Sequence, residues 1–284
     1  LLSEMYLPLA NGFPSYTANI GEVRNSGLEL SASGFLIRNT EKNLIWSLSA
    51  SMIYEKNKIV KISDALKIAN EELEANGGSN PNFLYREGEA LRTIYVVPSL
   101  GIDPSTGKEL YLDRFDNVTY IWDARDKRAC GVEDPKYRGN INTMFTWRDL
   151  SVNLSFGYRL GGHLYNSTLI NRVENADMKY NVDRRVYDER WKKPGDHTFF
   201  KDIKDKSATQ MTSRFVQKEN TLECQNVQLR YDFTQNWVKS YLGMQHLSVA
   251  FSTDNLFRVS TVKQERGIFY PFSRRFTFSL SAIF

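Results

Sequence analysis

The residues best suited to chemistry are few and scattered. Gly101-Ile102-Asp103-Pro104-Ser105-Thr106-Gly107-Lys108 has the outline of a phosphate-binding loop. In such a loop, backbone N–H groups and a lysine hold the phosphates. The spacing fails: there is one residue too many between the glycines, and Glu109 stands where a Ser or Thr hydroxyl would bind Mg²⁺. The alternating oxygen ligands of an EF-hand are missing as well. Asp103-Pro104 followed by Gly107 reads as turn chemistry, Pro fixing φ and Gly permitting φ > 0. His163, His197 and His246 share no metal-binding spacing. Glu189 and Asp196 could hydrolyse a glycoside only beside a second carboxylate at a defined distance, and they sit in a charge-balanced run, Asp188-Glu189-Arg190-Trp191-Lys192-Lys193. Cys130 and Cys224 fit no metal-ligand pattern, leaving one disulfide or two free thiols open. The expectation is a protein that is not an enzyme and uses neither cofactor nor metal.

Trp122, Tyr165 and Trp191 are the more interesting side chains, because all three fall in long connecting segments. An aromatic face on a loop can stack on a sugar ring or a peptide group. The commoner fate is packing within the loops or against a covering partner. They are the candidate substrate or lid contacts. The polar, mixed-charge stretch 171–193 around the last of them reads as a helical insert.

The elements that must position these loops are strands. Period-2 alternation recurs at about seven places: 24–37, 44–55, 138–147, 150–161, 222–234, 246–256 and 275–284. In the last of these, Phe276, Phe278, Leu280, Ala282 and Phe284 alternate with Thr277, Ser279 and Ser281. Runs of about ten residues exceed the usual globular strand of about five or six and match the roughly 9–11 needed to cross a bilayer at a tilt. The second face of each run is hydroxyl and amide, which suits a wet lumen. Trp46 and Tyr54 are placed to join an aromatic belt at the membrane interface.

Connection lengths alternate. Short ones lie at 39–43 and 146–149, with a moderate turn at 235–245; long ones occupy about 57–137, 163–221 and 258–273. That alternation is the habit of outer-membrane barrels, with short periplasmic turns and long extracellular loops. Composition agrees: 41% hydrophobic residues and a mean hydropathy of -0.46 leave no apolar stretch long enough for a membrane helix. The net charge of +4, spread along the chain, argues against nucleic acid as a partner. The fold class expected is all-β: an antiparallel transmembrane barrel segment. Leu1-Leu2-Ser3-Glu4 has neither an initiator Met nor a signal peptide. Seven strands ending on the periplasmic side would start outside the cell, so residues 1–284 are expected to be the C-terminal part of a longer chain.

Six motifs in order resemble the SusC/RagA-type TonB-dependent transporters of Bacteroidetes outer membranes. They are Asn25-Ser26-Gly27-Leu28-Glu29-Leu30, the Gly101–Gly107 segment, Asp134-Pro135-Lys136-Tyr137-Arg138-Gly139, Arg190-Trp191 with Pro194-Gly195-Asp196, Asp254-Asn255-Leu256-Phe257, and Tyr270-Pro271 with Arg275-Phe276-Thr277-Phe278. One departure stands out: where the family commonly has an acidic pair near Gln264-Glu265-Arg266-Gly267, this sequence has only Glu265. The resemblance implies a 22-stranded barrel in outer-membrane lipid. It also implies a plug domain upstream that this chain lacks, and contact with the TonB complex through that missing N-terminal region. A SusD-like surface lipoprotein would be the partner, and oligosaccharides or peptides the imported nutrients. A siderophore-type receptor, or a structural or adhesive barrel without transport, is the alternative.

Overall fold

The structure is a computed structural model and describes residues 2–6, 15–75, 77–81, 83–263 and 274–284. In chain order the strands are β1 Leu2–Tyr6, β2 Ser15–Asn19, β3 Gly21–Asn39, β4 Leu44–Ile62, β5 Thr93–Val96, β6 Ser99–Ile102, β7 Glu109–Leu112, β8 Val118–Thr119, β9 Arg128–Val132, β10 Tyr137–Trp147, β11 Leu150–Tyr165, β12 Val216–Phe233, β13 His246–Ser260 and β14 Phe276–Ile283. The helices are α1 Asp64–Ala75, α2 Arg185–Asp188 and α3 Asn236–Leu242. The chain divides into two compact units, and β3, β4, β11 and β12 contribute residues to both.

The first unit to consider is a wall, made of Gly27–Glu55, Pro135–Gly161 and Glu219–Phe284. Its sheet has the order β14-β13-β12-β11-β10-β4-β3 and is open, with β14 and β3 at its edges. All seven expected strands are present. Several run past the ends of their alternating patterns, β4 to Ile62 and β12 back to Val216. Backbone ladders need no side-chain pattern, so polar residues such as 55–58 conceal a strand that continues through them.

Register keeps like faces together. Trp46 lies opposite Phe145 and Phe145 opposite Val152; Leu229 lies opposite Phe251, and Phe251 opposite Phe278. The apolar face is bare: Leu28, Leu30, Leu229 and Val249 are exposed, and Phe278 and Leu280 are 77% and 72% exposed. The other face is mostly hydroxyl and amide, with Phe35 and Met144 among them. On it Ser155 Oγ donates to Asn142 Oδ1 at 2.7 Å, beside a recess of about 450 Å³ lined by Ser47, Ser49, Asn142, Asn153, Ser155 and Asn226. A soluble sheet would do the opposite and bury its apolar side.

The short connections share one rim of the wall. Asn43 (φ 47°) and Arg148 (φ 52°) take the left-handed turn conformation. Arg148 N–H donates to the Asn43 carbonyl at 2.8 Å, Asp232 N–H to the Asp149 carbonyl at 2.9 Å, and Gln245 N–H to the Ile283 carbonyl at 2.7 Å. The register of β12 and β13 shifts between Cys224 and Asn226. Asn255, in the Asp254–Phe257 motif, sits at φ 51° there, a region that Asn tolerates better than most residues. In β10, Gly139 is the glycine of the Lys136–Gly139 motif, and a Cβ on it would overlap the Ser51 backbone carbonyl.

The second unit contains Leu1–Ser26, Lys56–Asp134 and Gly162–Lys218. The long connections expected at 57–137 and 163–221 are therefore a folded body. It holds the β5/β9 pair, the β6-β7-β8 sheet and a buried core of Ile94, Val96, Tyr165, Ile170, Phe200, Met211 and Phe215. The helical insert expected at 171–193 is reduced to one π-helical turn, Leu169–Glu174, and the short α2. Between them the Asp177 and Asp183 side chains accept from the backbone N–H groups of Lys179 and Arg185, local bonds that compete with a helix. Tyr270-Pro271, residues 264–267 and much of the 258–273 connection lie outside the described residues.

Candidate functional site

Two motifs far apart in sequence meet in the loop unit. In the Gly101–Gly107 segment, Gly107 N–H donates to the Asp103 carbonyl at 2.8 Å and Thr106 N–H to the same oxygen at 3.3 Å. These N–H groups are used up inside the turn, so the segment has no cradle for a phosphate. The Asp103 carboxylate accepts from Tyr120 OH at 2.5 Å, Ser105 N–H at 2.9 Å and Thr106 Oγ1 at 2.8 Å. Those bonds, that of Tyr120 foremost, hold its pKa far below the usual carboxylate range. Gly107 sits at φ +71°, and a Cβ there would lie 2.6 Å from the Trp191 ring. Trp191 Nε1 donates to the Pro104 carbonyl at 2.8 Å, as does Gly195 N–H. Asp196 caps the same corner by accepting from the N–H groups of Lys192 and Lys193 at 3.1 and 3.0 Å. Glycine and tryptophan in these motifs thus form one packed contact.

Behind the turn lies a buried ionic triad. Arg214 donates from Nε and Nη2 to Glu109 at 3.0 and 2.7 Å, and from Nη1 and Nη2 to Glu174 at 2.6 and 2.9 Å. The Glu109 and Glu174 side chains are 6% and 0% exposed. Ser99 and Thr212 hydroxyls donate to Glu109 and Thr209 to Glu174, and the Phe215 ring lies 4.4 Å from the guanidinium carbon. Burial alone would raise the Glu174 pKa; Arg214 outweighs it, through hydrogen bonds and charge, and holds it below the ordinary value. Glu174 is thus held as an ionised acceptor, and both glutamates spend their oxygens on Arg214 and on hydroxyl donors, which is a structural role. Arg190, also buried, donates to the backbone carbonyls of Val173, Glu174, Val186 and Lys201, and burial draws its pKa down.

The three aromatic candidates are all anchored by the loops themselves. Trp122 Nε1 donates to the Met211 carbonyl at 3.2 Å, and Tyr165 OH to the Ser79 carbonyl at 2.8 Å. Tyr165 lies in the core edge-on to Phe215, with Trp122 packed against the same cluster. Trp191 is apart from them, at the Pro104 corner. Tyr165 and Trp191 are buried. The aromatic surface open to solvent in this unit belongs to residues that sequence reasoning passed over, among them Phe115, Tyr120, Tyr180 and Tyr187, whose ring carries Lys192 Nζ at 3.8 Å. Nothing in their local pattern distinguishes them; which aromatic is left outside is settled only when the core closes. Both cysteines are free thiols. Among the described residues no three His, Cys, Asp or Glu side chains are grouped to hold a metal ion.

On the wall, Trp46, Trp147 and Trp237 lie toward the short-turn rim, with Trp46 Nε1 donating to Thr143 Oγ1 at 2.8 Å. Toward the other end Tyr54 and Tyr137 pair with ring centroids 5.4 Å apart. Aromatic residues at both ends of an exposed apolar band are the layout of a strand wall crossing a bilayer.

No protein-family model matches the chain. Among curated proteins it is 23% identical to the TonB-dependent receptor P39 of Formosa agariphila, over 90% of the chain and 28% of that receptor. It is 24% identical to the TonB-dependent receptor SusC of Bacteroides thetaiotaomicron, over 86% of the chain and 24% of SusC. Among solved structures, the fold superposes on a chain of the RagAB peptide importer in its open-open state with a TM-score of 0.76 at 20% identity. That match covers all of this chain and 31% of the other. The RagAB peptide transporter gives 0.70 at 22% identity, over 92% and 28%. The chain spans about a quarter of the length of the curated relatives it matches. Motifs, wall and relatives agree in likening the chain to the SusC/RagA-type TonB-dependent receptors.

Proposed function

We propose that this chain supplies seven strands to the C-terminal part of a 22-stranded outer-membrane barrel, and that the loop unit forms its extracellular side. The observation that carries this is the inverted wall: apolar side chains bare on one face, Ser and Asn on the other, and every described short turn on one rim. Its height fits. The ten residue steps from Trp147 to Tyr137 span about 33 Å of strand, or about 25 Å of height at a tilt of about 40°, the thickness of the apolar band of such barrels. Function follows from the relatives: TonB-driven import of oligosaccharides or peptides, with a plug and TonB-contacting region elsewhere in the protein and a SusD-like lipoprotein covering the loops. The similar RagAB structures are of a peptide transporter and importer, which favours peptides. Trp122, Tyr165 and Trp191 stay in the proposal as residues that shape the surface such a ligand or lid would meet.

The test is genetic. Deleting the gene for the full-length receptor should abolish growth on peptides or on oligosaccharides as sole nutrient, and deleting tonB should do the same. The lipoprotein should co-purify with the receptor from detergent-solubilised outer membranes. Uptake that persists without TonB, or a receptor needed for neither nutrient class, would overturn the reading.

A further inference from the structure

The turn between β12 and β13 does more than reverse the chain: it carries α3, and α3 extends the apolar face of the wall. Rings step continuously from strand to helix. Tyr231 and Phe233 on β12 are 4.8 Å apart by centroid, and Phe233 and Trp237 on α3 are 5.9 Å apart. Tyr231 lies opposite Val249, on the face where Val249, Phe278 and Leu280 are bare. α3 packs back on β13, and Val238 and Leu247 are the buried apolar residues of that corner. Around the buried Val238, Trp237 and Leu242 are more than two-fifths exposed and Tyr241 is 86% exposed, and the polar Asn236, Lys239 and Ser240 are exposed as well. At 100° per residue, Trp237, Tyr241, Val238 and Leu242 fill one side of the helix, and Asn236, Lys239 and Ser240 fill the other.

The position of α3 is enforced. Thr234 Oγ1 donates to Asp149 at 2.9 Å, and Gln235 Nε2 donates to Tyr231 OH at 3.0 Å and to Asp149 at 3.5 Å, tying the helix start to the β10–β11 turn. Gly243, at φ +64°, closes its end by donating to the Val238 carbonyl. A rigidly held helix whose exposed apolar side chains continue a lipid-facing surface, with an exposed lysine on its other side, has the composition of an interfacial anchor.

We propose that α3 is a membrane-interface anchor: Trp237, Tyr241 and Leu242 insert between the phospholipids of the leaflet on the short-turn side, fixing the depth of the wall there. This rests on the reading of the wall as membrane-spanning. A nitroxide depth measurement on the full-length receptor, reconstituted in phospholipid bilayers with its own cysteines replaced, tests the two separately. Labels are placed by Tyr241→Cys on the apolar side of the helix, Lys239→Cys on its polar side, and Val249→Cys on the wall. The label at 241 should collide with oxygen in preference to an aqueous nickel chelate, at about 5–10 Å below the headgroups. The label at 239 should favour the chelate, and the label at 249 should be the deepest. If 249 reads lipid while 241 reads water, or is shielded from both reagents by protein, the anchor is refuted and the wall stands. If 249 also reads water, the wall reading falls with it.

Discussion

Removing the Arg214 guanidinium is the sharpest perturbation available, because it leaves the buried Glu109 and Glu174 carboxylates facing each other. Arg214→Met keeps an unbranched apolar stem and deletes the guanidinium with its charged donors. The two carboxylates are 6% and 0% exposed, so water cannot replace what is lost. Breaking a buried pair in this way costs about 3–5 kcal/mol. At about 1.4 kcal/mol per factor of ten, the open population of the loop unit should rise by between about 10² and several 10³. Native-state proteolysis of the full-length receptor in detergent reads that population as the cleavage rate within 163–221. The pH dependence should reverse as well. In the wild type the folded pKa of Glu174 is depressed, so its contribution is complete above the unfolded value of about 4.3 and is lost as pH falls through the lower folded value. In the variant the buried Glu174 carboxylate, left without its guanidinium partner, should titrate above its unfolded value, so the destabilisation present at pH 7 is relieved as pH falls. Cleavage of the variant should therefore slow between pH 7 and 5 while the wild type shows no such gain. The triple variant Glu109→Gln, Glu174→Gln, Arg214→Met removes all three charges and should recover most of the resistance. A single variant cleaved within about twofold of wild type, with the same pH profile, would refute the triad as the keystone of the loop unit.

Two further outcomes follow from particular contacts. Gly139→Ala should lower the yield of folded, heat-modifiable receptor, because its Cβ meets the Ser51 carbonyl, whereas Gly34→Ala, with nothing within 4 Å of a Cβ, should not; equal yields would refute the close approach. Cys130 is free and half-buried, and burial pushes its thiol pKa up, so a thiolate reagent should label it slowly at neutral pH and faster as pH rises above the ordinary thiol range. Rapid stoichiometric labelling of Cys130 at pH 7, read by peptide mass, would contradict that burial.

Much of the wall was legible in sequence because a β-strand writes its environment at every second residue. In β14, Phe276, Phe278 and Leu280 alternate with Thr277, Ser279 and Ser281, one face apolar and the other polar, and connection length told one rim from the other. The Asp103–Gly107 turn was legible for a similar reason, since Pro and Gly act on their own backbone. What stayed hidden depended on residues distant in sequence. Strand ends beyond the alternating runs are held by ladder bonds that carry no pattern. Trp191 and Gly107 are 84 positions apart and explain each other only in contact. Arg214 reads in sequence as one more loop charge, and only folding places it between glutamates from β7 and the Leu169–Glu174 turn. Local alternation and turn chemistry thus determined the wall and its short-turn rim, because each such residue responds to solvent or to its own backbone. The core of the loops, the aromatic residues it leaves exposed and the anchoring corner at α3 were decided by tertiary structure, because burial there is settled among residues that meet only once the chain has closed.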